Sequence, residues 1–406
     1  EAEKTGVPLE QALPLARLEE LYKAATAECK ENPQVADTCH EYLVRLQQGD
    51  KNLIDLWHKI TRVSMAEVYR IYRLLDVKLT EEHECGESFY RDMLAETVEA
   101  INQTGRLVES DGARCLFLDE FKSKEGNPLP MIVQKSDGGY NYATFDLAAV
   151  RYRTAKLGAA RIVYVTDARQ ALHFKQLFAA ARAAGILAIP DVKLEHVPFG
   201  TILGEDNKPL KTRSGENVKL AELLSEAVEK AYSVVNEKNP GLSEERKREV
   251  ARMIGVGAVK YADLSQNRNN DYVFSFDRML ALNGNTAPYL QYAHARICSI
   301  FRRAGSDPDS FNAPARISQV EERDLMIRLM EFGQAVVAVA ADLRPHILCN
   351  YLYELATTFS SFYDRCPVMS CEDPEIKSSR LAVCNFTRRI LAKGLDLLGI
   401  AAPREM

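Results

Sequence analysis

Read for the spacing of apolar and polar positions, the first 77 residues divide into three helices. Residues 15–31 put Leu18, Leu21 and Ala25 on one face, and Pro33 then breaks the run, because proline lacks the amide donor and clashes with the preceding turn. A second helix is expected over 34–48. A third, longer one is expected over 50–75, where Leu53, Leu56, Trp57, Ile60, Val68, Ile71 and Leu75 recur at helical spacing and read as core. Residues 86–105 predict a helix closed by Gly105. Segments 107–109 and 114–118 predict a short hairpin across Asp111-Gly112. From about residue 218 the pattern is helical throughout, with helices expected over 218–236, 243–264, 284–304, 317–342, 344–363 and 374–397 and with Pro345 and Pro367 at boundaries. Long apolar stripes separated by short polar turns predict an all-α bundle appended to an α/β region.

That α/β region centres on residues 131–173. A short apolar run, 131–134, meets Lys-Ser-Asp-Gly-Gly, a turn signal. From Ala143 the period changes, and Leu147, Val150, Tyr152 and Leu157 suit a helix face. Residues 161–166 form a β-branched strand, Gln170 opens a helix over about 169–184 ended by Gly185, and 194–200 reads as another strand running into a turn. Strand 131–134, its helix and strand 161–166 predict a βαβ unit with a right-handed crossover. Ligands in such sheets sit beyond the carboxyl ends of the strands. Tyr142, Asp146 and Gln170 gather there, and the first two, four apart, share a face if the helix begins by Tyr142. One reading of Tyr142 and Asp146 is a core aromatic and a capping acid. The other is a pocket with one carboxylate, suited to a cation such as a guanidinium, whose paired N–H donors a carboxylate accepts in bidentate fashion. His173 reads first as a packed or solvent-facing helical histidine.

Composition narrows the class. At 406 residues the chain has room for two or three domains, and 46% hydrophobic with 27% charged residues is ordinary for a globular protein. A net charge of −5 does not advertise a nucleic-acid binder, so RNA contact would need local basic surface. Nine cysteines without a C-x-x-C, the closest pair being Cys366 and Cys371, favour reduced thiols in the cytoplasm. The seven histidines form no H-x-x-x-H or mixed Cys/His cluster, so no metal site is expected. No run of about 18 apolar residues predicts a membrane span, and no secretory signal pattern is visible.

The ordered segments KSDGGYNYATFDLAA, VTDARQALHF, FGTILGEDNKPLKTRSG, YADLSQNRNNDYVFSFDRML and GNTAPYLQYAHAR resemble arginyl-tRNA synthetases, with similarity from about residue 14 to Met406. The resemblance implies a Rossmann-like, class I α/β nucleotide-binding catalytic domain with a helical insertion, and an all-α anticodon-binding bundle. The expected boundaries are 1–77 for the insertion, 78–236 for the second half of the catalytic domain and 237–406 for the tRNA-binding domain. It implies arginine held by Tyr142, Asp146 and Gln170, and ATP, with Mg2+, held near His196, Val197, Lys211, Thr212, Arg213 and Ser214. A charged loop such as 204–220 is most often solvated surface, but Lys211 and Arg213 stand where related synthetases carry a KMSKS signature. There they would offset charge on the leaving pyrophosphate. The second lysine of that signature is absent.

For tRNA(Arg) the resemblance implies Asn285, Tyr289, Tyr292, Arg296, Ser299 and Met406. The helix that carries most of them has no acid between Asn285 and Arg303, and its Tyr and Arg residues suit base stacking and phosphate pairing as readily as core packing and solvation. Glu1 opens the chain and no HIGH-type motif follows, so the expectation is a chain that starts after that motif and charges tRNA weakly until the front part is restored. The enzyme is expected to be a cytoplasmic monomer. The rival reading is a catalytically silent tRNA- or arginine-binding relative. A generic nucleotide-dependent enzyme is disfavoured, since no G-x-G-x-x-G or Walker motif occurs.

Overall fold

The computed structural model describes residues 14–210 and 218–406, which divide after Glu82 into two compact units. In the first unit three helices follow the predicted pattern: α1 (Leu15–Glu31), α2 (Pro33–Gln47) and α3 (Lys51–Leu74). Asn32 caps α2 by accepting the amide of Gln34, with Pro33 in the first turn, where its missing amide costs nothing. Asp50 caps α3 through the amides of Asn52 and Leu53. The expected core stripe of α3 is not a core: no residue of α1 or α3 is fully buried, and Trp57 is half-buried beside His58, their rings 4.7 Å apart.

The second unit begins with a 3₁₀ turn (Glu87–Met93) leading into α4 (Leu94–Asn102), so the single helix expected over 86–105 has an irregular first half. Strands β1 (Leu107–Ser110), β2 (Ala113–Leu116) and β3 (Met131–Gln134) form an antiparallel sheet in that order. After β3 the turn closes with Gly138 at φ 80°, a conformation that glycine adopts without a Cβ clash, and its amide donates to the Lys135 carbonyl at 2.9 Å. Next come α5 (Tyr142–Ala155), β4 (Arg161–Asp167), α6 (Ala171–Ala183) and β5 (Lys193–Phe199).

The βαβ unit is displaced by one element from its expected place. Strand β3 pairs with β2, while β4 runs parallel to β5 with α6 as the crossover. The predicted parallel sheet of 131–134 with 161–166 is therefore not formed. Local pattern identifies strands, but pairing depends on partners elsewhere in the chain. Residues of α5, α6, β3, β4 and β5, among them Leu147, Val150, Ile162, Leu177 and Leu194, share one core with α4.

Helices α7 (Leu220–Lys238) and α8 (Glu244–Leu264) pack closely, with Gly255 so near the α7 backbone that a Cβ there would lie 2.7 Å from Val228 Cα. A two-residue strand, β6 (Ile202–Leu203), pairs parallel with β7 (Tyr272–Val273), tying the end of the α/β layer to the loop after α8. After a short helix α9 (Phe276–Met279) come α10 (Ala287–Arg303), α11 (Val320–Met330), α12 (Phe332–Asp342), α13 (His346–Arg365) and α14 (Pro374–Leu397). The helix expected over 317–342 is two, broken at Glu331. Helices α10, α11, α13 and α14 surround the largest core, with Phe301, Leu325, Leu352, Phe359 and Leu391 fully sealed. No helix among the described residues is long and apolar enough to cross a membrane.

Candidate functional site

Tyr142 is the first residue of α5, and the cap is neither Tyr142 nor Asp146 but Asn141, whose side chain accepts the amides of Ala143 at 3.1 Å and Thr144 at 3.4 Å. Tyr142 is 62% exposed, so it is not a core aromatic. The reading of this pair as core ring and capping acid therefore fails on both counts. One turn further on, Asp146 Oδ2 accepts a hydrogen bond from His173 Nε2 at 2.7 Å, and its side chain keeps a third of its surface open. The Tyr142 ring stands edge-on to His173, centroids 4.9 Å apart. Gln170 is exposed at the N-terminal cap of α6, three residues before His173. The structure thus brings Tyr142 and Asp146 together through His173, the residue that helical periodicity had left as an ordinary surface or packing side chain.

The row of rings continues inward. His173 meets Phe174 at 5.1 Å, and Phe174 stacks on His196 of β5 at 4.8 Å with 23° between planes. His196 Nε2 shares a 2.9 Å hydrogen bond with Thr166 Oγ1 at the carboxyl end of β4. Burial holds the His196 imidazole below its usual range, so it is neutral and can keep that bond as donor or acceptor. Val197 is buried and lies in the parallel ladder opposite Val165 of β4. Beside Thr166, the Arg169 guanidinium clasps Asp167 and draws its carboxyl down to about 2. Below lies buried Tyr164, with the Arg153 guanidinium 5.3 Å from its ring centre and its hydroxyl pushed by burial up to about 12.

Past β5 the backbone is pinned by the loop after α8. Arg268 donates to the Pro198 carbonyl at 3.0 Å and to the Leu343 carbonyl at 2.9 Å. Gly200 donates its amide to the Arg268 carbonyl, and a Cβ at position 200 would stand 2.6 Å from the Asn270 carbonyl oxygen. Only glycine lets the two segments meet so closely. The expected pyrophosphate residues Lys211, Thr212, Arg213 and Ser214 lie outside the described residues.

On α10 the predicted RNA-facing residues divide. Thr286 caps the helix, and Asn285 Oδ1 accepts from Tyr261 Oη at 2.6 Å while its amide donates to Asn350 at 3.1 Å. Tyr289 is half-buried against Tyr353 and Ser360. Tyr292 is 40% exposed, and the Arg296 guanidinium lies 4.8 Å over its ring and 5.3 Å over that of Tyr363. Ser299 is half-buried one turn on. The opposite side of α10 holds the C-terminal tail: Gln291 donates to the Ala401 carbonyl, buried His294 donates from Nδ1 to that of Pro403, and Arg302 donates to that of Arg404. Met406 packs with Ala231, Val235 and Val250 of α7 and α8, so it does not join Tyr292 and Arg296 on their side of the helix. Among the described residues no group of three or more His, Cys, Asp or Glu side chains is arranged to hold a metal ion.

Comparison with known proteins follows this division of the chain. Residues 3–276 match the family described as tRNA synthetases class I (R), catalytic domain, and residues 290–406 match the DALR anticodon binding domain. An arginine–tRNA ligase of Pseudomonas fluorescens strain Pf0-1 is 48% identical over 392 residues, 97% of this chain and 68% of that protein. One of Cellvibrio japonicus is 47% identical over 405 residues, 100% of this chain and 70% of that protein. The crystal structure of an arginyl-tRNA synthetase from Plasmodium falciparum superposes with a TM-score of 0.80 at 30% identity, covering 92% of this chain and 62% of that one. On its catalytic-domain and anticodon-domain matches, and on identity to curated relatives along nearly its whole length, this chain belongs to the class I arginyl-tRNA synthetase family.

Proposed function

We propose that the chain serves ATP-dependent attachment of arginine to tRNA(Arg), with the pocket at Tyr142, Asp146 and Gln170 selecting the amino acid. The reaction has two steps. The arginine carboxylate attacks the α-phosphorus of ATP, giving arginyl-adenylate and pyrophosphate; the terminal ribose hydroxyl of tRNA then takes the arginyl group and AMP leaves. Neither step needs a covalent bond to the protein, so its residues bind, orient and offset charge. Asp146 accepts the guanidinium, Tyr142 and Gln170 add hydrogen bonds, and His196 with the backbone of Val197 flanks the adenine. Lys211 and Arg213, with Thr212 and Ser214, meet the phosphates. Magnesium arrives on the triphosphate, where it would neutralise phosphate charge. Asn285, Tyr289, Tyr292, Arg296, Ser299 and Met406 take tRNA, and the protein works as a cytoplasmic monomer.

One observation carries the reading: Asp146 spends one carboxylate oxygen on His173 and keeps open surface beside an exposed tyrosine, at the head of a row of rings leading to His196. A carboxylate so oriented matches a planar guanidinium better than a lysine ammonium. Calorimetric titration of the chain with arginine, lysine and citrulline, alongside arginine-dependent ATP–pyrophosphate exchange and tRNA charging, tests it. Binding of arginine well above citrulline, lost in Asp146→Asn, is expected. Equal binding of arginine and citrulline would overturn the pocket assignment.

A further inference from the structure

The nine cysteines are all free thiols, yet two of them meet. Cys29 Sγ lies 3.6 Å from Cys39 Sγ, with the Cys29 thiol donating. Cys29 is in the last turn of α1 and Cys39 in the second turn of α2. The connection between them is short and specified: Asn32 donates its amide to the Glu28 carbonyl at 2.8 Å and caps the next helix through Gln34, and Pro33 fixes the first turn. Both sulfurs therefore sit on consecutive helices joined by a short capped connection. Cys39 is exposed and Cys29 half-buried, whereas Cys115, Cys298, Cys349, Cys366 and Cys384 are sealed in cores.

We propose that Cys29 and Cys39 are a dithiol modification site that takes hydrogen peroxide, a two-electron oxidant, and closes to a disulfide joining the first two helices. In the first step the Cys39 sulfur attacks a peroxide oxygen; the O–O bond breaks, Cys39 becomes a sulfenic acid and one water leaves. In the second, the Cys29 sulfur attacks the Cys39 sulfur, the S–O bond breaks, a second water leaves and the S–S bond forms. Two thiols are oxidised and one peroxide is reduced to two waters. The hydrogen bond to Cys39, followed by burial, raises the Cys29 thiol, which leaves the exposed Cys39 to react first. A disulfide needs the sulfurs about 2.05 Å apart, so side-chain rotation must close roughly 1.5 Å, within reach of rotamer change.

The full 406-residue chain is treated with stoichiometric hydrogen peroxide under native conditions and digested with trypsin without reduction. Cleavage at Lys30 separates peptide 24–30 from 31–45, so the bridge is read directly as their cross-linked mass. Exposed Cys85 is the internal comparator. The expected result is that oxidised Cys39 ends in the 29–39 bridge on the order of tenfold more often than in a sulfinic acid, whereas Cys85 does not enter that bridge, because proximity of the second thiol speeds its attack on the sulfenic acid. Cys29→Ser should leave Cys39 as a sulfenic acid trapped by dimedone, with no bridge. Oxidation of Cys29 and Cys39 to separate sulfinic acids in the unsubstituted chain, in the proportion seen at Cys85, overturns the proposal.

Discussion

His173 Nε2 donates to Asp146 Oδ2 across 2.7 Å, joining the second turn of α5 to the first turn of α6. The bond does for the candidate carboxylate what an outer partner does for a metal ligand: it chooses one rotamer and leaves the remaining oxygen for the substrate. His173 acts here as a positioning residue. His173→Ala should raise the arginine KM about tenfold with a much smaller change in kcat, and His173→Asn should recover part of the loss. Steady-state pyrophosphate exchange across arginine concentrations separates the two constants; an unchanged KM in His173→Ala would remove His173 from the site.

Asp146→Asn keeps the shape and deletes the charge. A hydrogen bond to a charged partner contributes about 1.5–3 kcal/mol, so arginine affinity should drop roughly 10- to 150-fold, while ATP affinity stays level. Titration calorimetry with each ligand reads both. Normal arginine affinity in this variant would show that the carboxylate does not meet the guanidinium.

On α10 the exposed Tyr292, with half-buried Arg296 over its ring, should matter more to RNA than Tyr289, which is half-buried against Tyr353 and Ser360. Arg296→Ala should weaken binding of tRNA and lower the slope of log affinity against log salt by about 1, as expected for one lost phosphate contact. Tyr292→Ala should weaken binding with the slope unchanged, because stacking releases no counterion. Tyr289→Ala should mainly lower thermal stability. Filter binding over a salt series distinguishes these outcomes.

Acid should destabilise the fold in a defined window. Burial holds the imidazole of His294, which donates to the Pro403 carbonyl, below its ordinary value of 6.5, and burial does the same for His196 and His346. A depressed folded value means the unfolded chain takes up protons first as pH falls. Stability is then full above about pH 6.5 and declines below it until the folded imidazoles titrate. Denaturant midpoints at pH 7.5 and 5.5 should differ in that direction. His294→Asn, whose amide can replace Nδ1 as donor to Pro403, should reduce the difference.

Arg380 and Glu322 form an ion pair 2.8 Å long, with side chains 6% and 1% exposed. Glu322 also accepts the amides of Ser318 and Gln319, completing a capping box for α11. Arg380→Met would strand the carboxylate in the core and should cost about 3–5 kcal/mol. Adding Glu322→Gln, which keeps the cap without the charge, should restore much of that. Chemical denaturation of the single and double variants gives the coupling directly.

Local sequence determined most of the elements. Periodicity placed α1 to α3, α5, α6 and most helices after residue 218, though not the break at Glu331 or the short α9, because helix faces, caps such as Asn141 and Asp50, and breakers such as Pro33 act within a few residues of themselves. It also picked out Tyr142 and Asp146, since their spacing of four sets a shared face once the helix starts at 142. Tertiary structure decided the rest. That β3 joins β2 while β4 joins β5, that Ile202–Leu203 pairs with Tyr272–Val273, and that His173 rather than Gln170 touches Asp146 are contacts between residues far apart along the chain. The long stripe of α3 shows the converse limit: an apolar pattern states which face could be buried, and only the packing of other elements against it decides how far it is.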